Sequence, residues 1–155
     1  MIVVELNSDE LTAGAAVGAR RHISALHRPD KNFPDDDNLR WQTHIEGALS
    51  EIAVAKYLNR YWTGCGLQSR FDVGVEGLQV RSILNPSYGL VLRESDAYED
   101  AYLLVHAQAP RYTLLGWLRG SEGKCDYWLR SNERADKPFW IVPVQGLRPV
   151  ESLLV

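Results

Sequence analysis

The residues with most to offer chemically lie between Phe71 and Ser82, in the segment FDVGVEGLQVRS. Asp72 closes a short apolar piece. A turn-prone stretch with Gly74 and Gly77 follows, and then Leu78 and Val80 alternate with Gln79 and Arg81. Successive strand side chains point to opposite faces, so Gln79 and Arg81 share one face and Leu78 and Val80 the other. If the glycine turn closes a hairpin, Asp72 sits across from the polar pair, since cross-strand Cβ atoms lie ~4.5–5.5 Å apart. A carboxylate, an amide and a guanidinium then converge at one end of a sheet. Two of them offer oxygen ligands, and the third stays charged and cannot act as a base. The simpler reading of the same residues is a turn-starting Asp followed by the solvent face of a strand.

A helix upstream supplies a further carboxylate. His44, Ala48, Glu51 and Ala55 fall at i, i+4, i+7 and i+11, which is one stripe. Glu51 is thus flanked by two alanines at the edge of the apolar face. Small neighbours let a helix approach a sheet and leave the carboxylate free to reach past them; the alternative is an ordinary solvated Glu. His44 lies ~10 Å from Glu51 along the axis, so both can line one groove without touching.

The elements that must position these residues follow from periodicity. Residues 9–26 read as a first helix, with Leu11, Ala15, Val17, Ile23 and Leu26 at roughly helical spacing. Residues 40–60 read as a second, striped by Ile45, Ala48, Leu49, Ile52 and Ala55, with Gly64 past its end. His27 to Asn38, with two prolines and the run Asp35, Asp36, Asp37, reads as the loop between them, Asp37 or Asn38 capping the next helix. Beyond Gly64 the pattern breaks into short apolar runs. Tyr102 to His106, Tyr112 to Leu118 and Pro138 to Val142 are strand candidates, with a short helical piece near Trp128. Two helices followed by a run of strands predict an α+β domain around a mostly antiparallel sheet, occupying the whole chain.

These residues, in this order, resemble the PD-(D/E)XK nuclease superfamily, the restriction-endonuclease-like fold. Its signature is an Asp at a strand end, Glu-x-Lys on the next strand, and often a Glu from a preceding helix. The motif Asp falls on Asp72, Glu-x-Lys on Gln79-Val80-Arg81, and the helix Glu on Glu51 in GALSEIAVAKYL. The order helix, helix, DVG…LQVRS, a hairpin, then the strands around YLLVHA and YTLLGWLRG, is similar to small phage-borne proteins of this type, from about Ala15 to Pro149.

The resemblance implies a divalent ion, Mg²⁺ or alternatively Mn²⁺, held by Glu51, Asp72 and the carbonyl of Val80, and hydrolysis of DNA phosphodiester bonds. Two positions depart from the pattern. Gln79 replaces an acid and brings no negative charge. Arg81 replaces a lysine that orients or activates water; Arg81 is limited to stabilising charge on the phosphate. Water activation then falls to the metal or to another residue such as His44. The alternative is a nuclease-like domain without catalysis that binds DNA or a host protein in defence or counter-defence. A homodimer is compatible with either reading.

Charge bears on the partner. Seventeen Lys and Arg against twenty Asp and Glu give a formal charge of −3 over 155 residues. A protein that coats DNA without specificity is normally basic, so any DNA contact must be a local patch. Arg20, Arg21, His22, His27, Arg28 and Lys31 form the local cationic cluster. On a helix Arg20, His27 and Lys31 share one face and Arg21 and Arg28 the adjoining one, which makes them candidates for phosphate contacts, with a solvated face as the plain alternative. The Trp and Tyr residues, which could stack on bases, lie mostly inside apolar runs and read as core. With 45% hydrophobic and 24% charged residues the composition is that of a soluble protein. Cys65 and Cys125 stand apart without C-x-x-C spacing, and no run approaches the ~20 apolar residues that cross a membrane. The N-terminus MIVVELNSDEL does not have the form of a signal peptide, so a cytoplasmic location is expected, in the host cell if the chain is phage-encoded.

Overall fold

A computed structural model describes residues 1–27, 37–64, 72–130 and 137–153, with the side chains of residues 37–39 outside the description. The class is α+β, with two long helices early in the chain and most strands after them. Strand β1 (Ile2–Glu5) comes first, followed by α1 (Ser8–Leu26) and α2 (Asp37–Tyr57). The remaining strands are β2 (Leu78–Ile83), β3 (Leu90–Arg93), β4 (Ala101–Gln108), β5 (Arg111–Arg119), β6 (Leu129–Arg130) and β7 (Phe139–Val142). A one-turn helix, α3 (Gly120–Gly123), and a 3-10 turn at Asp126–Trp128 lie between β5 and β6. Among the described residues no helix is long and apolar enough to cross a membrane.

The strands divide between two sheets, where the sequence suggests one. A four-stranded sheet runs β1-β5-β4-β2 and a three-stranded sheet β3-β7-β6. All pairings are antiparallel except β2 with β4, which run parallel. The four-stranded sheet is covered on both faces. Leu78, Leu103, Val105 and Leu114 meet Leu49, Ile52 and Ala53 of α2 on one side. Tyr102, Leu104 and Leu118 meet Leu90, Leu92 and Val142 of the smaller sheet on the other. This accounts for the near-continuous apolar run of β4, since a strand buried on both faces loses its alternation.

The α1–α2 contact differs from the apolar stripe expected for α1. Ile23 and Leu26 are 50% and 57% exposed, and the residues α1 buries are Gly14, Gly18, Arg21 and His22. A Cβ on Gly18 would stand 2.5 Å from the Ile45 Cα and 2.8 Å from the His44 carbonyl oxygen. The bare backbone therefore is the contact surface, and hydrophobic periodicity cannot register it. Asn7 and Glu10 start the helix with a reciprocal capping box, at 2.9 and 2.7 Å.

Helix α2 ends earlier than Arg60. Asn59 takes a left-handed conformation with φ 52°, its N–H donating to Lys56 and that of Arg60 to Ala55. These two bonds close the last turn in a Schellman motif, in which Asn is the usual substitute for Gly. From Ala48 to Ala55 every residue of α2 is buried, because α1 covers one flank and the sheet the other.

Candidate functional site

Glu51 lies on the buried part of α2, 7% exposed. Its two oxygens accept from the Arg21 guanidinium fork at 2.6 and 2.8 Å, and Trp62 Nε1 donates to Oε2 at 2.9 Å. The carboxylate is neither solvated nor loose. A bidentate guanidinium and an indole N–H offset its removal from water, which an unpaired carboxylate would not survive as an anion. Sequence reasoning missed both partners. Arg21 precedes Glu51 by thirty positions, and only the glycine-lined α1–α2 contact brings it inside.

Asp72 arrives by a different route than a hairpin. It lies in a turn, and the sheet neighbour of β2 is β4. Gly74 and Gly77, with φ of 74° and 73°, fold the segment back so that Asp72 Oδ2 accepts from the Val80 N–H at 3.0 Å. Val80 is the middle residue of Gln79-Val80-Arg81. In an extended strand the N–H and C=O of one residue point the same way. The Val80 carbonyl therefore also faces the outer edge of β2, beside Asp72.

The electrostatics of Asp72 follow from this seat. Burial pushes its pKa up, the Val80 N–H lowers it, Glu51 repels its anion, and Arg81 and Arg21 favour the anion; the balance lies at about 6, against an ordinary 3.8. Glu51 and Asp72 thus share one neighbourhood, and the guanidinium of Arg81 acts on it from the other side of the strand.

Gln79 and Arg81 face away from α2. Their register partners Tyr102 and Leu104 belong to the cluster against the smaller sheet, whereas Val80 pairs with Leu103 on the helix side. Arg81 donates to Asp96 Oδ1 at 2.9 Å and lies over the Tyr102 ring, 5.2 Å from its centroid. The structure therefore sets Asp72 beside the Val80 backbone at the outer edge of β2, with Glu51 of the helix side within its electrostatic reach. It sets Gln79 and Arg81 on the opposite side of that edge.

Among the described residues no group of three or more His, Cys, Asp and Glu is placed to hold a metal ion. Asp72 and the Val80 carbonyl, with Glu51 whose two oxygens already accept from Arg21 and Trp62, are oxygen donors of the kind Mg²⁺ uses, an ion that takes one or two carboxylates and keeps waters or substrate phosphates for the rest.

The cationic cluster of α1 does not form one surface patch. Arg21 is turned inward to Glu51, and Arg20 donates to the Gly64 carbonyl at 2.9 Å. His22 and His44 are buried against each other, with ring centroids 5.4 Å apart, and Trp41 packs against His22 in a tilted arrangement. Burial, and then repulsion from His22 and Arg21, hold the His44 pKa below its ordinary value. His44 is enclosed between the helices and does not line an open groove. Arg28, Lys31 and Cys65 lie outside the described residues. No protein-family model matches the chain, and neither do any curated protein or solved structure.

Proposed function

We propose that this chain is a restriction-endonuclease-like domain that acts on DNA phosphodiester bonds by metal-assisted hydrolysis. The observation that carries the reading is the Asp72–Val80 hydrogen bond. It fixes the motif carboxylate and the motif's middle carbonyl at the outer edge of one strand, within the electrostatic reach of Glu51. Asp72, Glu51 and the Val80 carbonyl are the residues that would hold Mg²⁺ or Mn²⁺. The ion would supply an activated water and a counter-charge for the phosphate.

The chain's own residues divide the remaining work. Arg21 and Trp62 fix Glu51, so its oxygens have one orientation. Arg81 is fixed by Asp96 and Tyr102 and places a permanent positive charge at the strand edge, where it stabilises charge that builds on a phosphate. Gln79 shares the Arg81 face and serves the phosphate rather than the cation. His44 takes no part in water activation, being enclosed between helices.

Supercoiled plasmid incubated with Mg²⁺ or Mn²⁺ tests the reading. Nicked or linear product is expected, with loss of product in Asp72→Asn, which keeps an acceptor for Val80. Absence of product with either ion overturns hydrolysis. One observation favours a second reading, a nuclease-like domain without catalysis that binds DNA or a host protein. The Arg21 fork engages both oxygens of Glu51, so a guanidinium stands where a cation's charge would be. That reading expects neither cleavage nor a metal-dependent change in melting temperature.

A further inference from the structure

Between β2 and β3 lies a cleft of about 260 Å³, lined by Arg81, Ser82, Ile83, Gly89, Val91 and Arg93 among others. It opens on the side of β2 away from Glu51. At ~30 Å³ for each liquid water it has room for roughly nine waters, enough for a sugar–phosphate unit. We infer that this cleft is a phosphate subsite, holding the backbone of the bound DNA strand next to the phosphodiester at the Asp72–Val80 edge. The inference deepens the proposed function and rests on it for the identity of the ligand.

The chemistry favours an anion. Two guanidinium groups reach the cleft, and they differ in a useful way. Arg81 is held by Asp96 and by the Tyr102 ring. Arg93 is exposed, and among the described residues its side chain has no carboxylate partner. The nearby acids are already engaged. Asp96 accepts from Arg81 and from the Arg93 backbone N–H, and Glu94 pairs with Lys137 at 3.8 Å. Val91, 41% exposed, offers an apolar wall on which a sugar can lie. The cleft is positive on a chain of net charge −3, so its charge is local. Arg81 belongs to both the cleft and the strand edge, which ties the two places to one ligand.

A labelled DNA duplex titrated in EDTA over a series of salt concentrations tests the subsite without any cleavage. Arg93→Ala is expected to weaken binding about five- to ten-fold at low salt and to reduce the slope of log K against log salt by about 0.9, the change that accompanies one phosphate left without its cation. Arg93→Lys should retain the slope. Arg111→Ala, an exposed control paired with Glu5, should match the parent chain. Thermal melting checks that each variant is folded. Equal affinity and slope for the parent and Arg93→Ala overturn the subsite, even where plasmid cleavage succeeds. Loss of affinity in Arg93→Ala without plasmid cleavage upholds the subsite and sinks only hydrolysis. Binding of an acidic peptide but not of duplex also overturns the subsite as drawn.

Discussion

Glu51 and Asp72 are two carboxylates withdrawn from water in the same neighbourhood, and they are compensated very differently. Glu51 has a guanidinium fork and an indole N–H. Asp72 has one backbone N–H, a repelling neighbour in Glu51, and only smaller attractions from Arg81 and Arg21. The first is locked as part of the helix pair. The second carries an unmet demand for positive charge, which is the property a cation site needs. The difference shows that burial alone does not define a functional acid; what matters is how much of the desolvation is already offset.

Removing the compensation from Glu51 should have the largest effect. Arg21→Met leaves a buried anion with no counter-charge, and a cost of about 3–5 kcal/mol is expected for breaking a buried pair from one side. Denaturant unfolding measures it. The double variant Arg21→Met with Glu51→Leu should recover most of the loss, since an apolar pair of similar volume is often as stable as the ion pair. If the single variant is as stable as the parent, Glu51 is not locked and the contrast fails.

Neutralising Asp72 should act in the opposite direction. Its folded pKa of about 6 lies above the ordinary 3.8. The contribution is therefore most favourable below the lower value and is lost as pH rises through the higher one. The gap corresponds to roughly 3 kcal/mol. Asp72→Asn, which keeps the acceptor for Val80, should be more stable than the parent at pH 7–8 and equal to it near pH 3.5. Melting curves across that range check it. Added Mg²⁺ should raise the parent's melting temperature and leave the variant's unchanged.

The smallest effect belongs to His44. Its folded pKa is depressed, so its contribution is complete above pH 6.5 and declines as pH falls towards the folded value, where the unfolded chain takes up the proton first. Asp72 stabilises over part of the same interval, so the two partly cancel in the parent. In the Asp72→Asn background the His44 loss should stand alone, and His44→Gln should remove it.

Much of this arrangement is legible in the residues themselves. The long apolar strands β4 and β5 announce themselves by composition, and the eight-residue interval from Asp72 to Val80 with two glycines between them predicts a return of the chain. The rest depends on information that side-chain hydrophobicity does not hold. Gly14 and Gly18 make the α1 contact face, so a stripe drawn through Ile23 and Leu26 points the helix the wrong way. Arg21 reads as a surface cation because its partner is distant in sequence. The division into two sheets is set by which strands find each other across long intervals, as β3 finds β7. Strand β1 is four residues long and takes its place by pairing with β5 and packing against α2.

The outward N–H of Val80 has a consequence beyond the site. Among the described residues β2 is the terminal strand of its sheet, and terminal strands invite other chains to dock along them. By accepting from that N–H, Asp72 occupies one of the outward donors that an added strand would need. The same carboxylate therefore also covers part of that edge, and truncating it to alanine would leave the Val80 N–H open to another chain.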